Sequence, residues 1–260
     1  MALKERKRIL ICNDDGIDAP GIYALAQAIK TIGDVTVVAP DKQQSAVGHA
    51  ITINQPLRIS PFHKNDELFG YTVNGTPADA VKLAVGVLLK EKPHLVMSGI
   101  NHGSNTAINI LYSGTVSAAT EGTILGIPSI AISLTTYEKT DFSYAAQLSC
   151  RLALMVVEKG LPPGTLLNVN IPALPENEIL GVRVTRQGTS NWADTFDVRR
   201  DPANREYFWL TGRMNVTDTD DDADQIAVRN KYVSITPVHY DLTDRKTFDA
   251  MKQWGVEKLK

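Results

Sequence analysis

The chain has 260 residues, 43% hydrophobic and 22% charged, with a formal net charge of −2. That length suits one large domain or two small ones with a sizeable core, and the near-neutral balance gives no electrostatic reason to expect a nucleic-acid polymer as partner. The two cysteines, Cys12 and Cys150, stand in apolar runs that suit reduced, packed thiols and a cytoplasmic setting, and the start MALKERKRILICNDDG offers too short an apolar run for a signal peptide or a membrane span.

KERKR reads as a solvated lead-in to a first strand at about 8–13 (RILICN), which stops at Asn13, Asp14, Asp15 and Gly16. A helix begins at Pro20, with Ile22, Leu25, Ala26 and Ile29 at helical spacing, and is read to end at Gly33. A second strand at 35–39 leads into the polar loop APDKQQSAVGHA. ITINQPLRI and LFGYTVN then alternate like a hairpin inserted into the fold. In GTPADAVKLAVGVLLK, Thr76 as cap, Pro77 in the first turn and Asp79 three residues after Thr76 make a capping-box helix start. LVMSGI at 95–100 reads as a strand ended by Asn101, and SGTVSAATEGTILG as a helix with a hydroxyl cap at Ser113. PSIAISL is a strand, YAAQLSCRLALMVVEKG a long helix, and LLNVNI and GVRVT are further strands. Strands alternating with helices predict an α/β fold: a mainly parallel sheet covered on both faces, in three layers.

The period is lost after about residue 186. The single domain is therefore divided into a core at about 8–185 and a C-terminal arm at about 186–260. RQGTSNWADTFDVRRDPANREYFWLTG is an irregular arm or hairpin. The acidic run at 218–224 lacks the glycine and distal glutamate of a calcium loop and is read as a solvated loop. YVSITPVHYDL is strand-like and precedes a charged terminal helix containing Trp254.

Ligands of an open parallel sheet bind beyond the carboxyl ends of its strands, where helix N-termini also point. The first strand delivers Asp14 and Asp15 there, the second the loop with Ser45, and LVMSGI delivers Asn101. Adjacent carboxylates repel, and a divalent cation neutralises them most completely. Capping of the Pro20 helix accounts for Asp18 but not for a doublet. The all-oxygen set suits Mg²⁺, Mn²⁺ or Ca²⁺ and disfavours Zn²⁺. GTP at 75–77 and YSGT at 112–115 offer hydroxyls and backbone N–H groups at helix starts, as phosphate sites do, and a metal beside phosphate donors implies phosphoryl chemistry. Plain capping explains GTPAD equally well. His49 and His102 read as loop histidines first and catalytic groups second.

LICNDDGIDAPGI, SAVGHAIT, GTPADAVKLA, SGINHGSN and YSGTVSAATEG together resemble the SurE family of stationary-phase survival proteins, over residues 8–135 and again in LLNVNIP and YVSITP. The resemblance implies a Rossmann-like core and a metal-dependent 5'- and 3'-nucleotidase acting on nucleoside monophosphates, some members also releasing phosphate from short polyphosphate. It implies one divalent cation (Mg²⁺ or Mn²⁺) per subunit, held by Asp14, Asp15, Ser45 and Asn101. It also implies dimers or tetramers that exchange C-terminal segments. Cys12 stands where the family usually has threonine or serine, Ala107 where glycine is frequent, and Trp192 where tyrosine is common.

On this expectation Asp14 or Asp15 orients or deprotonates the attacking water, and Asn13, Asn105, Ser113, Gly114 and Thr115 bind the phosphate. Direct water attack ranks above a covalent route through Ser113 or Thr115, for which no base stands at an obvious spacing. An aspartyl-nucleophile phosphatase would need its nucleophile where Asn13 stands. A nucleotide-binding module or NAD-type oxidoreductase on the same architecture would need a GxGxxG turn where NDDGIDAPG places two carboxylates.

Overall fold

A computed structural model describes residues 6–138 and 140–259; the Lys4–Glu5 part of the KERKR lead-in lies outside them. Strand β1 (Lys7–Cys12) alternates its side chains between two cores, Ile9 and Ile11 joining one and Leu10 and Cys12 the other. Helix α1 (Pro20–Ile29) has proline in its first turn and buries Ile22, Leu25, Ala26 and Ile29 along one stripe. Gly33, read as the end of this helix, instead opens β2 (Gly33–Pro40).

The first hairpin lies further along the chain than the alternation of ITINQPLRI suggests. Residues 51–58 are irregular, and the paired strands are β3 (Ile59–Lys64) and β4 (Glu67–Val73). Asn65 and Asp66 join them, both left-handed at φ 54° and 64°. Asn and Asp tolerate that region, and a two-residue turn of this hand matches the strand twist. β4 also pairs in parallel with β2, so the hairpin extends the main sheet.

Helix α2 (Pro77–Leu83) starts with the full capping box of Thr76 and Asp79 and runs on into a π-helical turn at Ala84–Leu88. Strand β5 (Leu95–His102) continues two residues past Ile100. After the short α3 (Asn109–Tyr112), the Ser113 hydroxyl accepts the Val116 N–H at 3.0 Å and starts α4 (Gly114–Ile124). Next come β6 (Ser129–Leu134), α5 (Ser143–Lys159), β7 (Thr165–Ile171) and β8 (Gly181–Val184).

The stretch without a period forms a regular antiparallel ribbon, β9 (Asn191–Arg200) and β10 (Glu206–Asn215). Nearly every residue of it is exposed, so no face imposes the alternation that would reveal it in sequence. The acidic run is not simply solvated: Asp218 and Asp224 are buried, because Arg186 pairs with Asp218 and backbone N–H groups surround Asp224. Asp224 opens α6 (Asp224–Arg229), followed by β11 (Tyr232–His239) and α7 (Arg245–Gln253), which buries none of its side chains.

The main sheet has the order β3-β4-β2-β1-β5-β6-β7-β11-β8, antiparallel only at β3–β4 and β7–β11. α1 and α5 cover one face, α2 and α4 the other. β11 thus places part of the C-terminal span inside the core sheet, and the pieces that project are the ribbon and the segment after His239. From β1 the chain first moves to β2 on one side and later to β5 on the other. The strand order therefore reverses between β1 and β5, the crevice where doubly wound sheets bind ligands.

Candidate active site

Asn13, Asp14 and Asp15 leave the carboxyl end of β1 beside the end of β5, at this reversal. A cavity of about 800 Å³ opens there, lined by Asp14, Ser45, Asn101, Asn105 and Ser113 among the residues expected from sequence. Three separate connections deliver them. The Ser45 loop is fastened to the tip of β1 by the Gln44 N–H, which donates to the Asp14 carbonyl at 2.7 Å. Its far end is held by His49, whose Nε2 lies 2.9 Å from Oε2 of the buried Glu121, itself paired with Lys82 at 2.7 Å. Burial pushes Glu121 up, but these two partners together outweigh it and leave its carboxyl below the usual range. In β5 one extra residue between Ser98 and Asn101 breaks the register with β6, a bulge of the kind that re-aims a side chain at a sheet rim. Asn101 then donates from its amide to the Gly103 carbonyl at 2.9 Å.

Asp14 is only 4% exposed. Burial pushes its carboxyl up to about 6; the Thr115 hydroxyl, which donates to Oδ1, opposes the rise, and the charge of Asp15 adds to it. Asp15, less buried, is also pushed up by burial, against the pull of the His102 N–H, which donates to Oδ2 at 3.2 Å. No lysine or arginine offsets either charge among the described residues. For Asp14 the rise from 3.8 to about 6 corresponds to roughly 3 kcal/mol. The core side chains Ile9, Leu10 and Ile11, at roughly 1.5–3 kcal/mol each, anchor the strand firmly enough to carry that cost at its tip. The approach of α4 is equally close: a Cβ on Gly114 would lie 2.7 Å from the Asp14 Cβ, so only glycine lets the helix N-terminus meet the acid.

Of the other expected residues, Ser113 and Asn105 share the cavity lining, whereas Asn13, Asp15, Gly114 and Thr115 stand behind it. Asn13 is fully buried and donates its amide to the Gly16 carbonyl at 2.8 Å, leaving Oδ1 without a partner. Thr115 is fully buried against Asp14, and Gly114 backs the same acid. Ser113 uses one lone pair in capping α4, which leaves its hydroxyl hydrogen free to donate. Asn105 is held by Ser133 Oγ at 2.8 Å. His102, whose Nε2 is buried without a partner, packs its ring 4.9 Å from that of Phe142.

Sequence reasoning did not single out the aromatic wall. Tyr112, Tyr137 and Trp192 line the cavity, and the Trp192 indole N–H donates to Asn109 Oδ1 at 2.6 Å, pinning the base of the ribbon over the site. Trp192 lies in the stretch without a period, and only its departure from a commoner tyrosine marked it. No described helix is long and apolar enough to cross a membrane.

Fold and rim together define a doubly wound α/β protein with a cavity at its topological switch point, lined by the buried Asp14 of an acidic pair and by the oxygen-bearing side chains of Ser45, Asn101, Asn105 and Ser113. The particular family is shown by comparison: the family described as Survival protein SurE matches residues 9–194. The chain is 50% identical over 254 residues to the 5'-nucleotidase SurE of Chlorobium phaeobacteroides, covering 98% of both chains. To that of Flavobacterium johnsoniae it is 48% identical over 252 residues, covering 96% of this chain and 97% of the other. The crystal structure of the SurE protein from Aquifex aeolicus matches with a TM-score of 0.83 at 43% identity, covering 95% of this chain and 99% of that one. The chain belongs to the SurE family.

Proposed function

We propose that this protein is a metal-dependent phosphomonoesterase that releases phosphate from nucleoside 5'- and 3'-monophosphates, with short polyphosphate as a further substrate. The carrying observation is the pair Asp14 and Asp15: adjacent carboxylates, Asp14 buried and Asp15 half-buried, with no lysine or arginine offsetting either charge among the described residues, at the crevice of a parallel sheet. The names borne by the relatives support the 5'-nucleotidase part of this reading.

The donor set fits one Mg²⁺ or Mn²⁺ per subunit. Asp14 and Asp15 would hold it with the oxygens of Ser45 and Asn101, hard ligands with no thiolate or imidazole among them. When bound, such an ion supplies charge neutralisation and the acidification of a coordinated water. The protein's own contribution is orientation. Thr115 fixes one oxygen of Asp14, and the His102 N–H fixes one of Asp15, which leaves the other oxygen of each as the candidate metal ligand. Ser113 and Asn105 donate to phosphate oxygens from two sides of the cavity, with the N-terminus of α4 adding its positive end. Asn13 and Gly114 act from behind, Asn13 by holding the turn at Gly16 and Gly114 by allowing the close approach. Tyr112, Tyr137 and Trp192 offer faces on which a nucleobase stacks.

The exposed ribbon carries Phe196, Phe208 and Leu210, and α7 leaves Phe248 and Met251 unburied, which supports assembly as a dimer or tetramer through C-terminal segments. The unpaired thiols, Cys12 buried and Cys150 half-buried, support a cytoplasmic setting. The deciding experiment measures phosphate release from a panel of 5'- and 3'-nucleoside monophosphates with Mg²⁺, with Mn²⁺ and with chelator. Release that requires the metal and falls at least a hundredfold in Asp15→Asn is expected; full release after complete metal removal would contradict the reading.

A further inference from the structure

The loop after β5 is built almost without ladder hydrogen bonds, although it carries Asn105 into the cavity. Side chains from distant elements hold its backbone instead. The Asn105 N–H donates to Asn170 Oδ1 at 2.8 Å, and its carbonyl accepts from Asn168 Nδ2 at 2.8 Å and Asn170 Nδ2 at 3.2 Å. Two residues on, the Ala107 N–H donates to Asp224 Oδ2 at 2.9 Å, and the Ala107 carbonyl accepts from Gln187 Nε2 at 2.9 Å. Ala107 sits at φ 51°, a region an L-residue occupies only when its surroundings impose it.

Asp224 is fully buried, and its two oxygens serve different parts of the molecule. Oδ2 takes the loop N–H at Ala107. Oδ1 takes the Gly188 N–H at 3.0 Å, at the root of the β9–β10 ribbon, and the Gln225 N–H at 2.8 Å in α6. The carboxylate is satisfied by backbone donors alone; no cation pairs with it among the described residues, and nearby Asp218 acts against its charge. Gln187, next to Gly188 in sequence, closes the clamp from the other side of Ala107. One buried acid therefore ties the ribbon root to the loop that presents Asn105.

We infer that Asp224 is a positioning residue: it sets Asn105 against the substrate phosphate by clamping Ala107, and links that setting to the ribbon through Gly188. This rests on the proposed phosphate-holding role of Asn105. Displacing a binding group by about 1 Å costs up to a hundredfold in rate, so a clamp two residues away has leverage that its distance from the chemistry conceals.

The test is a double-mutant cycle on the full-length, metal-loaded protein, with kcat/KM for a nucleoside 5'-monophosphate as readout. Asp224→Asn keeps the volume but offers one acceptor oxygen where two are needed. It is expected to lower kcat/KM about ten- to a hundredfold in the wild-type background and less than about threefold in the Asn105→Ala background, since a contribution made through Asn105 vanishes once Asn105 is gone. An equal fold loss in both backgrounds, or none in either, would overturn the inference, while the nucleotidase reading stands or falls separately on phosphate release by the unsubstituted protein. If Asp224→Asn does not fold, Gln187→Ala decides. It removes an exposed side chain at the other arm of the clamp and is expected to cost about three- to tenfold, again only where Asn105 is present. An additive effect there overturns the inference as well.

Discussion

Replacing Asp14 with asparagine should stabilise the metal-free protein while it destroys activity. The folded chain raises this carboxyl from 3.8 to about 6, chiefly by burial, with the charge of Asp15 adding to it. At about 1.4 kcal/mol per unit, keeping the group ionised in the fold costs roughly 3 kcal/mol above pH 7. The sign follows from linkage: the folded state takes up the proton before the unfolded one, so the penalty is complete above the folded pKa, shrinks as the pH falls below about 6, and is gone below about 4. Asparagine preserves the volume and can still accept from the Thr115 hydroxyl, but carries no charge. Denaturant unfolding in chelator should therefore find Asp14→Asn more stable than wild type by about 2–3 kcal/mol at pH 7.5, with the gap closing toward pH 4. Added Mn²⁺ should reverse the order by stabilising only the wild type. A variant less stable than wild type in chelator at pH 7.5 would refute the view that this acid is held charged at a cost to the fold.

Trp192→Ala should raise KM for nucleoside 5'-monophosphates about tenfold, the loss of one base–aromatic stack, and leave kcat/KM for p-nitrophenyl phosphate within about twofold. Equal effects on both substrates would remove the tryptophan from base recognition. Deleting residues 244–260 removes α7, which contributes nothing to the core. Light scattering should then report a smaller assembly with an unchanged fold by circular dichroism, and a monomer both with and without the segment would refute the assembly role.

The core and the acid pair were legible because local chemistry and global fold agree there. Thr76, Pro77 and Asp79 announce α2 in four residues, and RILIC followed by a doublet of acids marks both a central strand and its rim. Strand order and residue chemistry together bring the Ser45 loop and Asn101 to the same rim, and both line the cavity. The misread hairpin shows where pattern misleads: Ile51 and Ile53 alternate like strand residues yet stand 51% and 80% exposed, and the true signal was the Asn65–Asp66 turn further on. The ribbon was legible only as an irregular arm or a hairpin, and a hairpin forms; its strands could not be bounded because neither of its faces is buried in this chain. Asp224 was hidden among neighbouring acids, and its partners at Ala107 and Gly188 are close only after folding. A clue did exist for the side chains that hold the Asn105 backbone: Asn168 and Asn170 recur at a spacing of two inside the apolar run LLNVNI, and polar side chains on one face of a buried strand demand partners.

Anomalous diffraction from crystals soaked in Mn²⁺ tests the central claim most directly, because it locates the ion without reference to activity. A single peak per subunit within about 2.4 Å of oxygens from Asp14, Asp15, Ser45 and Asn101 is the predicted result. A cavity that holds only water under saturating Mn²⁺, with both acids turned to backbone N–H groups, would contradict it.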